Sequence, residues 1–263
     1  MRMSAQILLP AVLAGIPLWF FSLLSVGAVT EPVPPPSPAH TERMEYDITW
    51  VGVSVGSMSV WEEVAEEGTL FRSIRIWNRP WIAAIYPVDN TVECRISVTP
   101  DGPLHVVSKK MGEKDFLQDD TLLIWPEMGK AIWTNAVSNV VHAFDVPLHS
   151  RDFVTFFFDL RDAAKDNGLA WQEDYQLVMD GSIHGLSITR GETKRLKTPF
   201  GAMSAIPVKA ISKSPELFSR NRPKAVWVAE QKPAVLFADV HSRFGTVRAT
   251  LTRWEINGRP VEW

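Results

Sequence analysis

The sequence predicts a mainly β fold: a curved antiparallel sheet, half-open barrel or sandwich, with one main amphipathic helix. Three observations predict it. Apolar and polar residues alternate over many short stretches, the period of a strand with one buried face. Turn-forming dipeptides separate these stretches, among them Asp180-Gly181 and Asn257-Gly258. Only one segment, with Phe153, Phe156, Phe157, Leu160, Ala163 and Ala164 in helical spacing, departs from that rhythm.

The chain of 263 residues opens with Arg2, then an uncharged apolar run from Ile7 to Val26, then the small residues Val26-Gly27-Ala28. That order is the pattern of a secretory signal peptide, so residues 1–28 are expected to be removed on export, with retention as an N-terminal anchor the alternative. Pro10 and Pro17 interrupt the run, and no Cys near the cleavage site supports lipoprotein processing. Residues 29–42 include Glu31-Pro32-Val33-Pro34-Pro35-Pro36-Ser37-Pro38 and read as a Pro-rich linker or tail. A single β-rich domain is expected over 43–263.

Within it, Met44, Tyr46, Ile48 and Trp50 alternate with Glu45, Asp47 and Thr49; Val92, Cys94, Ile96 and Val98 alternate with Glu93, Arg95 and Ser97. Val247, Ala249 and Leu251 repeat the pattern. Further strands are predicted at 58–64, 70–77, 104–109, 121–125, 131–134, 175–179, 186–190, 203–211, 225–229 and 234–240, spaced as in an antiparallel sandwich, barrel or curved sheet. The helix is predicted over 152–167, capped by Ser150 or Asp152 and ended by Gly168, with its phenylalanines against the sheet.

Composition narrows the function. The formal net charge is −3, and loss of the leader removes one more cation, so no basic excess exists to neutralise phosphates and nucleic acid is not an expected partner. Cys94 is the only cysteine, which leaves no intramolecular disulfide. Its strand phase matches Val92 and Ile96, so it reads as a buried small hydrophobe rather than a nucleophile. The six histidines, His40, His105, His142, His149, His184 and His241, follow no zinc spacing and read as exposed or singly hydrogen-bonded. No G-x-S-x-G elbow and no Gly-rich phosphate loop is present. Glu62, Glu63, Glu66 and Glu67 read as a solvated hairpin, and Asp119 and Asp120 as a turn. No catalytic residue, metal site or cofactor is expected.

Tryptophan is abundant, 11 in all, and is expected to fill the interior of a curved sheet. One segment stands apart. Between Pro80 and Pro87 lie Trp81, Ile82, Ile85 and Tyr86, an apolar stretch without strand alternation that reads as a loop or short helix at a cavity mouth. These four residues are the expected ligand contacts.

Several segments resemble an uncharacterised family of exported bacterial proteins, the domain-of-unknown-function family 3108. They are Glu45-Tyr46-Asp47-Ile48-Thr49-Trp50 with Gly52 and Gly56, Ile85-Tyr86-Pro87-Val88-Asp89, the helix from Asp152 to Gly168, the short hairpin Lys197-Thr198-Pro199-Phe200-Gly201-Ala202-Met203, and the stretch from Gln231 through Val235 to Phe244-Gly245-Thr246-Val247. The helix departs from the family pattern in its Phe-rich start. The resemblance implies an envelope location and a β-rich fold, and no catalytic residues. Taken together, the sequence points to a non-enzymatic periplasmic or envelope carrier for an apolar, lipid-like ligand, touching the membrane only through the leader if that is uncleaved. The alternatives are an envelope scaffold that binds another protein, and a hydrolase whose carboxylates meet only in the fold.

Overall fold

The computed structural model describes residues 38–65, 67–114, 116–162, 172–213, 221–242 and 245–263. The chain divides into Met1–Pro35 and Pro36–Trp263, and every described residue belongs to the second unit. The predicted leader and all but the end of the Pro-rich segment therefore lie outside the described residues.

The elements follow in order as β1 (His40–Trp50), β2 (Val53–Val64), β3 (Leu70–Asn78), α1 (Pro80–Ala83), β4 (Val88–Thr99), β5 (Gly102–Glu113), β6 (Phe116–Trp125), β7 (Lys130–Asn135) and β8 (Val140–Asp145). Next come β9 (Arg151–Asp152), α2 (Phe153–Asp162), β10 (Gln172–Met179), β11 (Ser182–Arg190), β12 (Lys194–Thr198) and β13 (Gly201–Ser212). The chain ends with β14 (Asn221–Ala229), β15 (Val235–Ser242), β16 (Gly245–Ile256) and β17 (Arg259–Pro260). The fold is mainly β, as the alternation predicts. β1 starts three residues ahead of Arg43.

Strands β1 to β8 pair in sequence as an antiparallel meander. On its other side β1 pairs with β16, from which the ladder continues through β15, β14, β13 and β11 to β10, with β9 parallel at the end. The two ends of this order, β8 and β9, are not joined by a ladder among the described residues. Side chains cross the gap instead: Lys109 and Gln118 both reach Asp180 on the β10–β11 turn, at 2.6 and 3.1 Å. The sheet is thus rolled without a closing seam. Register shifts at Glu45/Tyr46 and Ile48/Thr49 place bulges in β1, which bend and twist a strand where a sheet must curl.

Turn chemistry fixes the register. Asp180 and Gly181 both have positive φ, 53° and 71°, as a two-residue hairpin of the favoured twist requires. On the concave side Met44, Tyr46, Met58, Val60, Ile74 and Cys94 are buried together with Leu186, Ile188, Ile206, Val228 and Leu251 from the other half. Residues in the opposite phase, such as Arg75, Glu93 and Arg95, are exposed.

Helix α2 packs against β3, β4, β9 and β10. The 163–167 part of the predicted helix lies outside the described residues. Its buried residues are Val154, Thr155, Phe156, Phe158, Leu160 and Arg161, while Phe153 is exposed. The expected stripe of Phe153, Phe156, Phe157 and Leu160 is therefore only half right. The helix is covered on more than one side by a sheet that curves around it, so Phe158 and Val154, off the predicted stripe, are fully buried.

Three further expectations need correction. Glu62 is not in a solvated hairpin: it is in phase with Met58 and Val60 and is buried. Asp120 is not in a turn: it is a buried residue of β6, bonded by Asn135 Nδ2 at 2.6 Å and by Gln118. Nor do the tryptophans all fill the interior. Trp254 is buried, whereas Trp50 and Trp81 are exposed.

Candidate functional site

The predicted ligand residues lie at one end of the sheet, in the connection between β3 and β4. Pro80 starts α1 with its φ already set for a helix and no N–H to leave unpaired. The turn then continues, with the amides of Ile85 and Tyr86 both bonded to the carbonyl of Ile82 at 2.9 Å. Asn78 clamps the segment from both sides: Nδ2 donates to the carbonyl of Tyr86 at 2.5 Å, and Oδ1 accepts from the amide of Val88 at 3.0 Å. Arg79 fastens its start, donating to Asp47 Oδ1 at 2.8 Å and to Ser54 Oγ at 3.2 Å. On this rigid frame Trp81 is 54% exposed, Ile85 74% and Tyr86 45%, with Ile82 half-buried. The structure brings the four expected residues together in one short turn, as their proximity in sequence requires.

A second, buried constellation lies beneath α2. The ladder aligns Glu42, Glu62, Arg72, Cys94 and Val107 in one row across β1 to β5. The helix lies across that row. At its C-terminal end Arg161 pairs with Glu42 and stands 3.9 Å from Glu62. Trp254 Nε1 donates to Glu42 at 2.7 Å and Arg72 Nε donates to Glu62 at 2.6 Å. The Phe158 ring sits between the two guanidiniums, 4.2 Å from that of Arg72 and 4.7 Å from that of Arg161. Each buried glutamate thus has a guanidinium partner, which is what a buried ionic cluster needs, and half-buried Asp162 adds a third carboxylate 3.1 Å from Arg161 Nε.

At the N-terminal end Asp152 caps the helix, its Oδ1 accepting the amide of Thr155 at 2.9 Å. Its Oδ2 takes the Thr155 hydroxyl at 2.6 Å, lies 2.8 Å from His105 Nδ1, and receives the Cys94 thiol at 3.7 Å. Burial pushes the Asp152 carboxyl up, but the bonds and charge from His105 and Thr155 outweigh it and hold the carboxyl below its usual range. Burial, with the nearby Asp152 charge, pushes the Cys94 thiol well above its ordinary value. A thiol so placed is not a nucleophile.

Donor atoms of Cys94, His105 and Asp152, and those of His40, Glu42 and Glu62, each lie within 4.8 Å of one another, the spacing a metal ion needs. In the first group the donors bond one another; in the second, Arg161, Arg72 and Trp254 take up the carboxylates. The buried cluster ties a helix to a sheet. It was missed in the sequence because its members come from seven separate strands, β1 to β5, β9 and β16, and from α2. Two signals were present: Asp152 followed three residues later by Thr155, and Glu62 in the inward phase of its strand.

No protein-family model matches the chain, and no curated protein matches it in sequence. Among solved structures, the chain is similar to one described as a β-barrel-like protein of the domain-of-unknown-function family 1849 from Brucella abortus. The identity is 11% and the TM-score 0.57, over 82% of this chain and 97% of that one. The likeness is one of fold, and it agrees with a β-rich, rolled and barrel-like sheet.

Proposed function

We propose that the chain is a non-enzymatic binding or carrier module of the bacterial envelope, taking an apolar, lipid-like ligand at the β3–β4 connection. One observation carries the reading: Trp81, Ile85 and Tyr86 are held exposed on a turn that Asn78 and Arg79 make rigid. Leaving aromatic and aliphatic side chains in water has no benefit to the fold, and rigid exposed apolar groups are what binding sites present. A rolled sheet suits such a role, since barrel-like β folds commonly hold ligands at their mouths. Export through the 1–28 leader and membership of family 3108 belong to the same proposal, and rest on the sequence segments quoted above.

The same exposed turn supports a second reading, an envelope scaffold that docks a protein. The hydrolase reading has less support: Glu42 and Glu62 do converge, but in the core, with guanidinium and indole donors on their oxygens. Native mass spectrometry of the full chain purified from its own envelope separates these. A retained lipid-sized mass supports the carrier, a retained protein the scaffold, and a bare chain that also ignores added lipid counts against the proposal.

A further inference from the structure

The β3–β4 turn is not alone at its end of the sheet. Strands β1, β3, β5 and β7 all run toward that end, so the meander places their turns side by side along one rim. Each turn carries exposed apolar residues at or beside its tip, although the tip of the β5–β6 turn itself is Lys114. The β1–β2 turn carries Val51, 75% exposed, beside exposed Trp50; β6 opens, just past the β5–β6 turn, with Phe116 and Leu117, the latter 69% exposed; the β7–β8 turn carries exposed Val137. The turns at the opposite end are more polar, with Glu67-Gly68-Thr69 between β2 and β3 and Pro100-Asp101 between β4 and β5, and expose fewer apolar side chains, Val98 beside the β4–β5 turn and Met128 between β6 and β7.

Val51 adds an independent sign that these tips are selected. Its φ is +50°, a left-handed conformation that a β-branched residue adopts only under strain and that Asn or Gly adopts readily. Strain of this kind persists where position serves a function. Behind the tips lies a band of paired charges: Arg79 with Asp47 and Arg75 with Asp89, both at 2.8 Å, and Lys109 with Asp180 at 2.6 Å.

We propose that this rim is a membrane-docking surface, whose separate apolar tips enter the interfacial layer of a phospholipid bilayer. The composition of the rim fits that solvent: exposed aliphatic side chains, the amphipathic rings of Trp50, Trp81 and Tyr86 on the same turns, and nearby cations paired with carboxylates. Projecting single points also suit a fluid, deformable partner. The sheet stands on the bilayer and does not span it, because its outward phase carries exposed Arg75, Glu93 and Arg95 where a spanning barrel has an apolar belt. This goes beyond ligand binding and does not require it.

The test uses the full chain carrying Leu117→Cys labelled with an environment-sensitive dye, and separately Asp101→Cys at the opposite end with the same dye; Cys94 is buried and stays unlabelled. Vesicles are phosphatidylcholine alone or mixed with phosphatidylglycerol. The expected result is a blue shift at position 117, quenched by brominated lipid and unchanged by high salt, with none at position 101. Val51→Asp combined with Ile85→Asp in the labelled chain should weaken the response roughly tenfold or more, since each 1.4 kcal/mol is a factor of about ten. A chain that binds vesicles with no shift at 117, or with equal shifts at both positions, overturns the proposal. So does a concentration-dependent shift at 117 without vesicles, which would assign the rim to a second copy. None of these outcomes touches binding of a dissolved fatty acid.

Discussion

Asp152 and His105, 47 residues apart in sequence, meet in the core with Oδ2 and Nδ1 2.8 Å apart. The carboxylate also holds Thr155 and Cys94, so one side chain both starts α2 and rivets it to β4 and β5. Asp152→Ala removes a cap and leaves several buried donors unpaired, and should cost about 3 kcal/mol or more in urea unfolding. Asp152→Asn should cost less.

The acid limb of stability follows from the same group. The folded Asp152 carboxyl is held below its ordinary value, so the unfolded chain takes up a proton first as pH falls. Its stabilisation is present above the unfolded value near 4 and is lost as pH drops through the lower folded value. Urea midpoints measured from pH 6 downward should fall, and Asp152→Asn should flatten that fall.

At the alkaline side the signs reverse. The Cys94 thiol and the Tyr46 hydroxyl are both raised by burial, from ordinary values of 9.0 and 10.0. Their neutral forms are stabilised by the fold, so stability is full below about pH 9 and declines as the unfolded chain ionises above it. Tyr46→Phe combined with Cys94→Ala should remove most of that decline. Cys94→Ala alone should cost only about 1 kcal/mol at neutral pH, as small core truncations do. Native Cys94 should react with a thiol reagent only at the rate of unfolding.

The ionic cluster predicts a non-additive pair. Arg161→Met removes the cation paired with Glu42 and leaves that carboxylate buried, while Arg72 still holds Glu62; it should cost about 3–5 kcal/mol. Adding Glu42→Gln removes the charge left without a cation and should recover part of the loss. Equal or greater loss in the double variant would show that Arg161 acts by packing on Phe158 instead.

Much of the fold was legible because β1, β4 and β16 alternate cleanly, each with one face in the core. Strand β8 was not, since Val140 and Val141 are both exposed at the sheet's edge and the alternation has nothing to bury. Strand β12, Lys194–Thr198, is too polar to announce itself. The helix was legible as a helix, but not its buried face, because Phe158 matters only once a sheet curls round both sides. Among candidate site residues, Trp81, Ile82, Ile85 and Tyr86 lie within six positions, so their grouping in one turn could be read directly. Asp152, His105, Cys94 and Thr155 are gathered by strand register, which no local pattern encodes.

Contact of Trp81, Ile82, Ile85 and Tyr86 with an apolar ligand is the core of the proposed function. Titration of a fluorescent fatty-acid probe in vesicle-free solution tests it most directly, comparing the wild type with Trp81→Ala and with Tyr86→Ala. These side chains are exposed, so the variants should unfold at the same urea concentration as the wild type. The account predicts saturable binding by the wild type and affinity about tenfold weaker in Trp81→Ala, as expected from removing a large buried aromatic contact. No saturable binding by the wild type, or equal affinity in all three proteins, would contradict it.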